Sequence, residues 1–377
     1  MRVMMQLRPH SVEVGGGDFV QAEKTCRALQ ALGVQAELTT VDRPDLSGVE
    51  VVHVFGVFPA YMPYTYRQVV HARRHGVPAL VSTIYWNPAP ALLPVWELYE
   101  RSVPTSGLTG RLRTLLRRFA RAELLRTASL EDWLDLSAAR AQQEATLILA
   151  DMLLPNTRAE LGCLRRDFPS AQTPGEVIPN AADTMFSGAS PDAFIQRWGL
   201  RDFVLCVGRI ERRKNQEALI RALRGTGTPL VLIGRPTEPD YCRMCSRLSD
   251  GNVLLLDHLP HDELPSAYAA AKVHCLPSHY ETPGIASLEA ALAGCNVVVT
   301  EPGGAREYFG DLAWYCRPDD EESIREATLA ALAAPRRADL MHHVLENYTW
   351  EVTARRTLEV YRLTLENACA ETRPCTY

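Results

Sequence analysis

At 377 residues the chain is too long for one ordinary hydrophobic core and suits two domains. Hydrophobic residues at 46% and charged residues at 23% are ordinary proportions for a soluble globular protein. A net charge of −5 argues against non-specific nucleic-acid binding by the whole chain.

The ten cysteines are scattered, several inside apolar runs such as Val204-Leu205-Cys206-Val207, where a reduced Cys behaves as a small hydrophobe. Cys242 and Cys245 form a CxxC without the second ligand pair of a zinc site, so they read as surface thiols. The apolar run at the N-terminus stops at Arg8-Pro9-His10 and has no secretory pattern. No stretch approaches the roughly 18 apolar residues of a membrane span. The expectation is a reduced, cytoplasmic protein.

In chain order, 3–7 reads as a buried strand, followed by Gly15-Gly16-Gly17 and a helix over 19–32 that Asp18 is placed to cap. Strand-like runs recur at 35–39, 49–55 and, after a helix near 64–74, at 79–85. Strands alternating with helices predict a parallel sheet with right-handed crossovers. Further strands are expected at 146–150 and 176–178. Between them and the fourth strand, the Pro-rich then Arg-rich stretch of about 88–143 is long for a connection and reads as a helical insertion. The segment 187–192 reads as an interdomain linker. Beyond it, strands at 203–207, 229–233, 253–256, 273–276 and 296–299, with helices such as 216–224 and 264–271 between them, make a second doubly wound domain. The tail from 350 to about 368 has helical periodicity and is expected to pack back on the first domain. The division is therefore 1–188, 189–349 and a returning helix in 350–377.

Ligand crevices of such sheets lie at the carboxyl ends of the strands, and a ligand can span two that face each other. Gly16 and Gly17 ahead of a helix allow close backbone approach to a phosphate, although such a run is often only a turn. Arg209 and Lys214 follow the strand over 204–207 and can neutralise a diphosphate; a solvated basic loop with Arg212 and Arg213 is the plainer alternative. Glu281 and Glu289 bracket a tight turn and a helix start, where the N–H groups near Gly284 and Ile285 can cradle phosphate. Glu289 is placed to accept both ribose hydroxyls and Glu281 to contact a sugar ring. Carboxylates for sugar hydroxyls beside cations for a diphosphate describe a nucleotide-sugar pocket.

At these residues the chain resembles glycosyltransferase family 4, retaining enzymes of the GT-B fold. The family's G-R-x-x-x-x-K appears as Gly208, Arg209 and Lys214, and its E-x7-E as Glu281 and Glu289. Pro302-Gly303-Gly304-Ala305-Arg306-Glu307 is similar to its Gly-Gly-x-x-Glu loop, Val177-Ile178-Pro179-Asn180-Ala181-Ala182-Asp183 to its interdomain segment, and Tyr348-Thr349-Trp350-Glu351 to the start of its crossover helix. The resemblance implies an α/β GT-B architecture of two Rossmann-like parallel-sheet domains facing across a cleft. It implies Arg209 and Lys214 on the donor diphosphate, Glu289 on the ribose and Glu281 on the transferred sugar. It also implies transfer with retention, needing neither metal nor cofactor, and no DxD occurs in the sequence. Two positions depart from the family's pattern. Tyr85 stands where a sugar-contacting His often falls, with His53 as another acceptor-side candidate, and Thr282-Pro283 replaces a common Gly-Phe.

Residues 108–122 have helical amphipathic spacing, leucines on one face and Arg111, Arg113, Arg117, Arg118 and Arg121 on the other. Such a helix suits either an anionic membrane surface, beside a lipid-linked acceptor, or packing on the first domain. The expected partners are a nucleotide-sugar donor and a glycan, lipid-linked or small-molecule acceptor. A GT-B epimerase or phosphorylase, or a non-catalytic donor-binding subunit, is the alternative.

Overall fold

The computed structural model describes residues 1–9, 11–14, 16–58, 62–86, 130–282 and 284–371. The basic stretch 108–122 and most of the expected insertion lie outside them. The chain divides into two units: Met1–Asn156, Glu160–Ile178 and Ala354–Tyr377 form the first, and Thr157–Ala159 with Pro179–Thr353 the second. The division thus falls at Ile178 and Pro179, ahead of the expected 187–192 linker.

The first unit holds a five-stranded, all-parallel sheet. Its strands are β1 (Arg2–Gln6), β2 (Gln35–Thr39), β3 (Val51–Phe55), β4 (Ala79–Ser82) and β5 (Met152–Leu153), in the order β2-β1-β3-β4-β5. Successive strand residues feed opposite cores: Met4, Val52, Val54 and Val81 pack on one face, Val3, Met5, Val51 and Leu80 on the other. Burial on both faces is why these strands read as continuous apolar runs. Helix α1 (Gly17–Ala31) starts a residue before Asp18, with Gly16 at its N-cap and no side-chain cap. Asp18 turns instead to Arg8, with which it forms an ion pair.

The segment 146–150, expected as a strand, ends helix α2 (Leu130–Leu149). A short apolar run does not separate the two states by itself. The Ala- and Gln-rich residues before it carry the helix through, burying Leu147 and leaving Ile148 exposed. The expected strand at 176–178 is instead an extended edge: the amides of Glu176 and Ile178 donate to Leu153 and Pro155 carbonyls at 2.9 Å without forming a named strand. The C-terminal helix α3 (Trp350–Glu371) buries Ala354 and Tyr361 in the core shared with β1 and β3.

The second unit holds a six-stranded parallel sheet in the order β11-β10-β9-β6-β7-β8. Its strands are β6 (Val204–Val207), β7 (Leu230–Ile233), β8 (Val253–Leu256), β9 (Val273–Leu276), β10 (Asn296–Thr300) and β11 (Trp314–Cys316). It is again buried on both faces, with Leu205, Val231, Val297 and Val299 on one side and Val204, Cys206, Leu232 and Val298 on the other.

Candidate active site

The second sheet reverses its winding between β6 and β9, so the loops leaving these adjacent strands flank the topological switch point. After β6 the chain makes a short 3₁₀ turn at Arg212–Lys214 and ends it on Asn215, whose φ of 59° is left-handed. Asn215 then pins this loop to the next: its side-chain amide donates to the Pro277 carbonyl at 3.1 Å, and the His279 amide donates to the Arg213 carbonyl at 3.0 Å.

This tie brings Lys214 and Glu281 into an ion pair, both side chains nearly buried. Arg213 Nη1 lies 3.4 Å from the same carboxylate oxygen, Oε2, and Ser278 Oγ donates to it at 3.2 Å. Burial alone would push the Glu281 carboxyl up, but Lys214 and Arg213 outweigh it and hold the group down to about 2. Burial in turn pulls the Lys214 ammonium below its usual value, against the attraction of Glu281. Arg209 is the exposed cation, its side chain 44% accessible and held 3.3 Å from Glu211. The site presents cationic groups over an anchored carboxylate.

Glu281 is also held through its backbone. Its carbonyl accepts from the Gly304 amide at 3.2 Å, and the residue bridges to Gly303. Gly303 has φ 106°, and a Cβ there would lie 2.2 Å from the Glu281 carbonyl oxygen. Only glycine fits. Gly284, at φ 83°, caps helix α4 (Ile285–Leu292), so the chain turns from Glu281 into that helix. Glu289, a turn inside α4, is buried and accepts from the Tyr268 hydroxyl at 3.1 Å, while His261 Nε2 stands 3.7 Å from its other oxygen. Burial first, and then the Glu289 charge, raise the Tyr268 hydroxyl well above its usual range, so it remains a donor.

The structure therefore gathers Arg209, Lys214, Glu281, Gly284, Ile285 and Glu289 around the β6 and β9 loops and the start of α4. Gly16 and Gly17 lie in the first unit, at the start of α1. The two acceptor-side candidates are core residues. His53 is fully buried, with Nδ1 2.6 Å from the Tyr361 hydroxyl and Nε2 2.8 Å from Ser82 Oγ. Tyr85 is buried beside Phe168 and donates to Asp167 at 2.8 Å. Cys245, expected at the surface, is buried on its helix. The sequence gives Arg213 no role of its own within the basic loop, and assigns none to Ser278, Tyr268 or His261. Arg213 was visible only as part of a basic run.

A chain of two doubly wound parallel-sheet units, with cations and carboxylates at the switch point of the second, has the GT-B fold. Residues 194–348 match the family described as "Glycosyl transferases group 1". Among relatives, it is 33% identical over 225 residues to a GDP-mannose-dependent alpha-(1-6)-phosphatidylinositol monomannoside mannosyltransferase of Mycolicibacterium smegmatis. That match covers 52% of this chain and 59% of the relative, so the chain spans little more than half the relative's length. It is 25% identical to the alpha-maltose-1-phosphate synthase of Mycobacterium tuberculosis over 96% of this chain and 99% of that protein. Among solved structures, the sucrose-phosphate synthase of Thermosynechococcus elongatus superposes with a TM-score of 0.72 at 17% identity, covering 97% and 100% of the two chains.

Proposed function

We propose that the protein is a glycosyltransferase that moves a glycosyl group from a nucleoside-diphosphate sugar to a glycan, lipid-linked or small-molecule acceptor. The observation that carries this reading is the Lys214–Glu281 pair at the switch point, with Arg209 exposed beside it and Glu289 buried behind it.

Each group has a task in the reaction. Arg209 and Lys214 face the diphosphate, whose charge grows as the bond from the anomeric carbon to the phosphate oxygen breaks and the electron pair stays on that oxygen. Backbone N–H groups at the start of α4 add to that stabilisation. Glu289 accepts the ribose hydroxyls, and Glu281 the hydroxyls of the sugar being moved. With fixed cations supplying the charge, the proposal includes transfer without a metal ion. It also includes retention of the anomeric configuration, the incoming hydroxyl bonding to the face that the diphosphate leaves. The GDP-mannose dependence in the mycobacterial relative's name supports a nucleotide-sugar donor.

The test is nucleoside-diphosphate release from a panel of UDP-, GDP- and ADP-sugars, with a cell extract as acceptor pool. One donor should be turned over. Lys214→Ala and Glu289→Ala should each lower its turnover by about 100-fold, the usual scale for removing a group that stabilises transition-state charge or holds the substrate. Chelator should leave the rate unchanged, and the isolated product should keep the donor's anomeric configuration. Silence across the panel, or release indifferent to both variants, would sink the reading; binding without release would point to a non-catalytic subunit.

A further inference from the structure

Among the described residues, every polar partner of the Glu281 carboxylate falls on one oxygen. Lys214 Nζ, Arg213 Nη1 and Ser278 Oγ all meet Oε2. Yet Lys214 is also the cation that the proposed diphosphate requires. A buried carboxylate whose counter-ion turns to another ligand is left short of compensation, which is costly in a low-dielectric site. Arg213 is built to prevent this. Its guanidinium sits 3.0 Å from Glu211 on one side, donates to the Tyr280 carbonyl at 3.2 Å and reaches Glu281 at 3.4 Å on the other. Its own carbonyl is bonded to the His279 amide, so both ends of the residue grip the loop that carries Glu281. The Glu211 carboxylate that holds Arg213 from the far side also pairs with Arg209.

We infer that Arg213 is a positioning residue that retains the Glu281 carboxylate when the donor diphosphate takes Lys214, so that the other carboxylate oxygen stays aimed at the sugar. This rests on the donor reading above and gives Arg213 a role distinct from the phosphate-binding cations. Ser278 has the same effect on a smaller scale, as a neutral donor to the retained oxygen.

The experiment separates sugar recognition from phosphate recognition by calorimetric titration of the full chain with three probe pairs, GDP with GDP-mannose, UDP with UDP-glucose and ADP with ADP-glucose. For the pair that the wild type binds, Arg213→Gln should keep nucleoside-diphosphate affinity within about threefold while the ratio of sugar-nucleotide to nucleoside-diphosphate affinity falls about tenfold, one lost charge-assisted bond. Lys214→Gln should weaken both ligands. Arg213→Lys, which keeps the charge but not the fork, should recover part of the ratio, and it carries the test if thermal unfolding shows the Gln variant misfolded. Equal loss of both ligands in Arg213→Gln would make Arg213 a phosphate cation and overturn the inference, as would no change in either. Failure of the wild type to bind any of the three pairs would instead bring down the donor reading, and the inference with it.

Discussion

His53 stands in the middle of β3 and Tyr85 follows the end of the adjacent β4, and both side chains turn inward. The Tyr85 ring meets Phe168 edge-on with centroids 5.7 Å apart, and its hydroxyl is committed to Asp167. Burial and the Asp167 carboxylate both raise the phenol, which stays protonated at any working pH. Tyr85→Phe should therefore cost about 1.5–3 kcal/mol of stability, a hydrogen bond to a charged group, and leave glycosyl transfer unchanged. Urea unfolding beside a transfer assay checks this, and a loss of transfer with stability intact would return Tyr85 to the acceptor side. The direction in which such a side chain points was not legible in the sequence. It depends on partners 82 residues away for Tyr85 and 308 for His53, and no local pattern encodes them. Lys214 and Glu281 were legible because each is fixed to a strand end by a short spacing, and the strands' adjacency follows from the parallel winding. Arg213 was lost among its basic neighbours, since a run of three cations does not reveal which one faces a carboxylate.

At the scale of elements, the strands that were legible are those buried on both faces, where nothing interrupts the apolar run: Val204–Val207, Leu230–Ile233 and Asn296–Thr300. Two of the failures have different causes. The end of α2 is apolar enough to read as a strand, and only the helical residues before it decide the matter. The edge strand Trp314–Cys316 has three residues, two of them only half-buried, and leaves no run to read. The segment between β10 and β11 nevertheless shapes the site, because Gly303 backs directly onto the Glu281 carbonyl. Gly303→Ala combines a left-handed φ with a contact no Cβ can make, so the 301–304 loop must move and release Glu281. The expected outcome is a stability loss of about 1–3 kcal/mol and donor turnover reduced at least tenfold. Thermal unfolding and nucleoside-diphosphate release measure the two. A variant with wild-type turnover would show that Glu281 does not need this support.

Among the described residues each unit also carries one fully buried histidine: His53 in the first, His274 on β9 in the second. Burial drives both down from 6.5 to about 3, with the Lys214 charge adding to the effect at His274. Both rings are therefore neutral in the folded protein at pH 5, while the unfolded chain's histidines take up protons below about 6.5. The unfolded state then binds more protons, so folding stability is full above 6.5 and falls as the pH drops toward the folded value. At pH 5 each histidine accounts for about 2 kcal/mol of loss, since 1.4 kcal/mol accompanies each pH unit of difference. Glu281 has the same sign but a lower window: its stabilisation holds above 4.5 and is lost as the pH falls toward about 2. Between pH 6.5 and 4.5 the two histidines thus act without it. Urea unfolding at pH 7.5 and pH 5 should show the drop. His53→Gln keeps a hydrogen-bonding side chain without the titration, and should flatten the pH dependence of the first unit's transition by about 2 kcal/mol, whatever it does to absolute stability. His274→Gln should do the same for the second. A pH dependence that survives both substitutions would mean that neither ring is held neutral by its core, and that the acid sensitivity of the fold lies in its carboxylates.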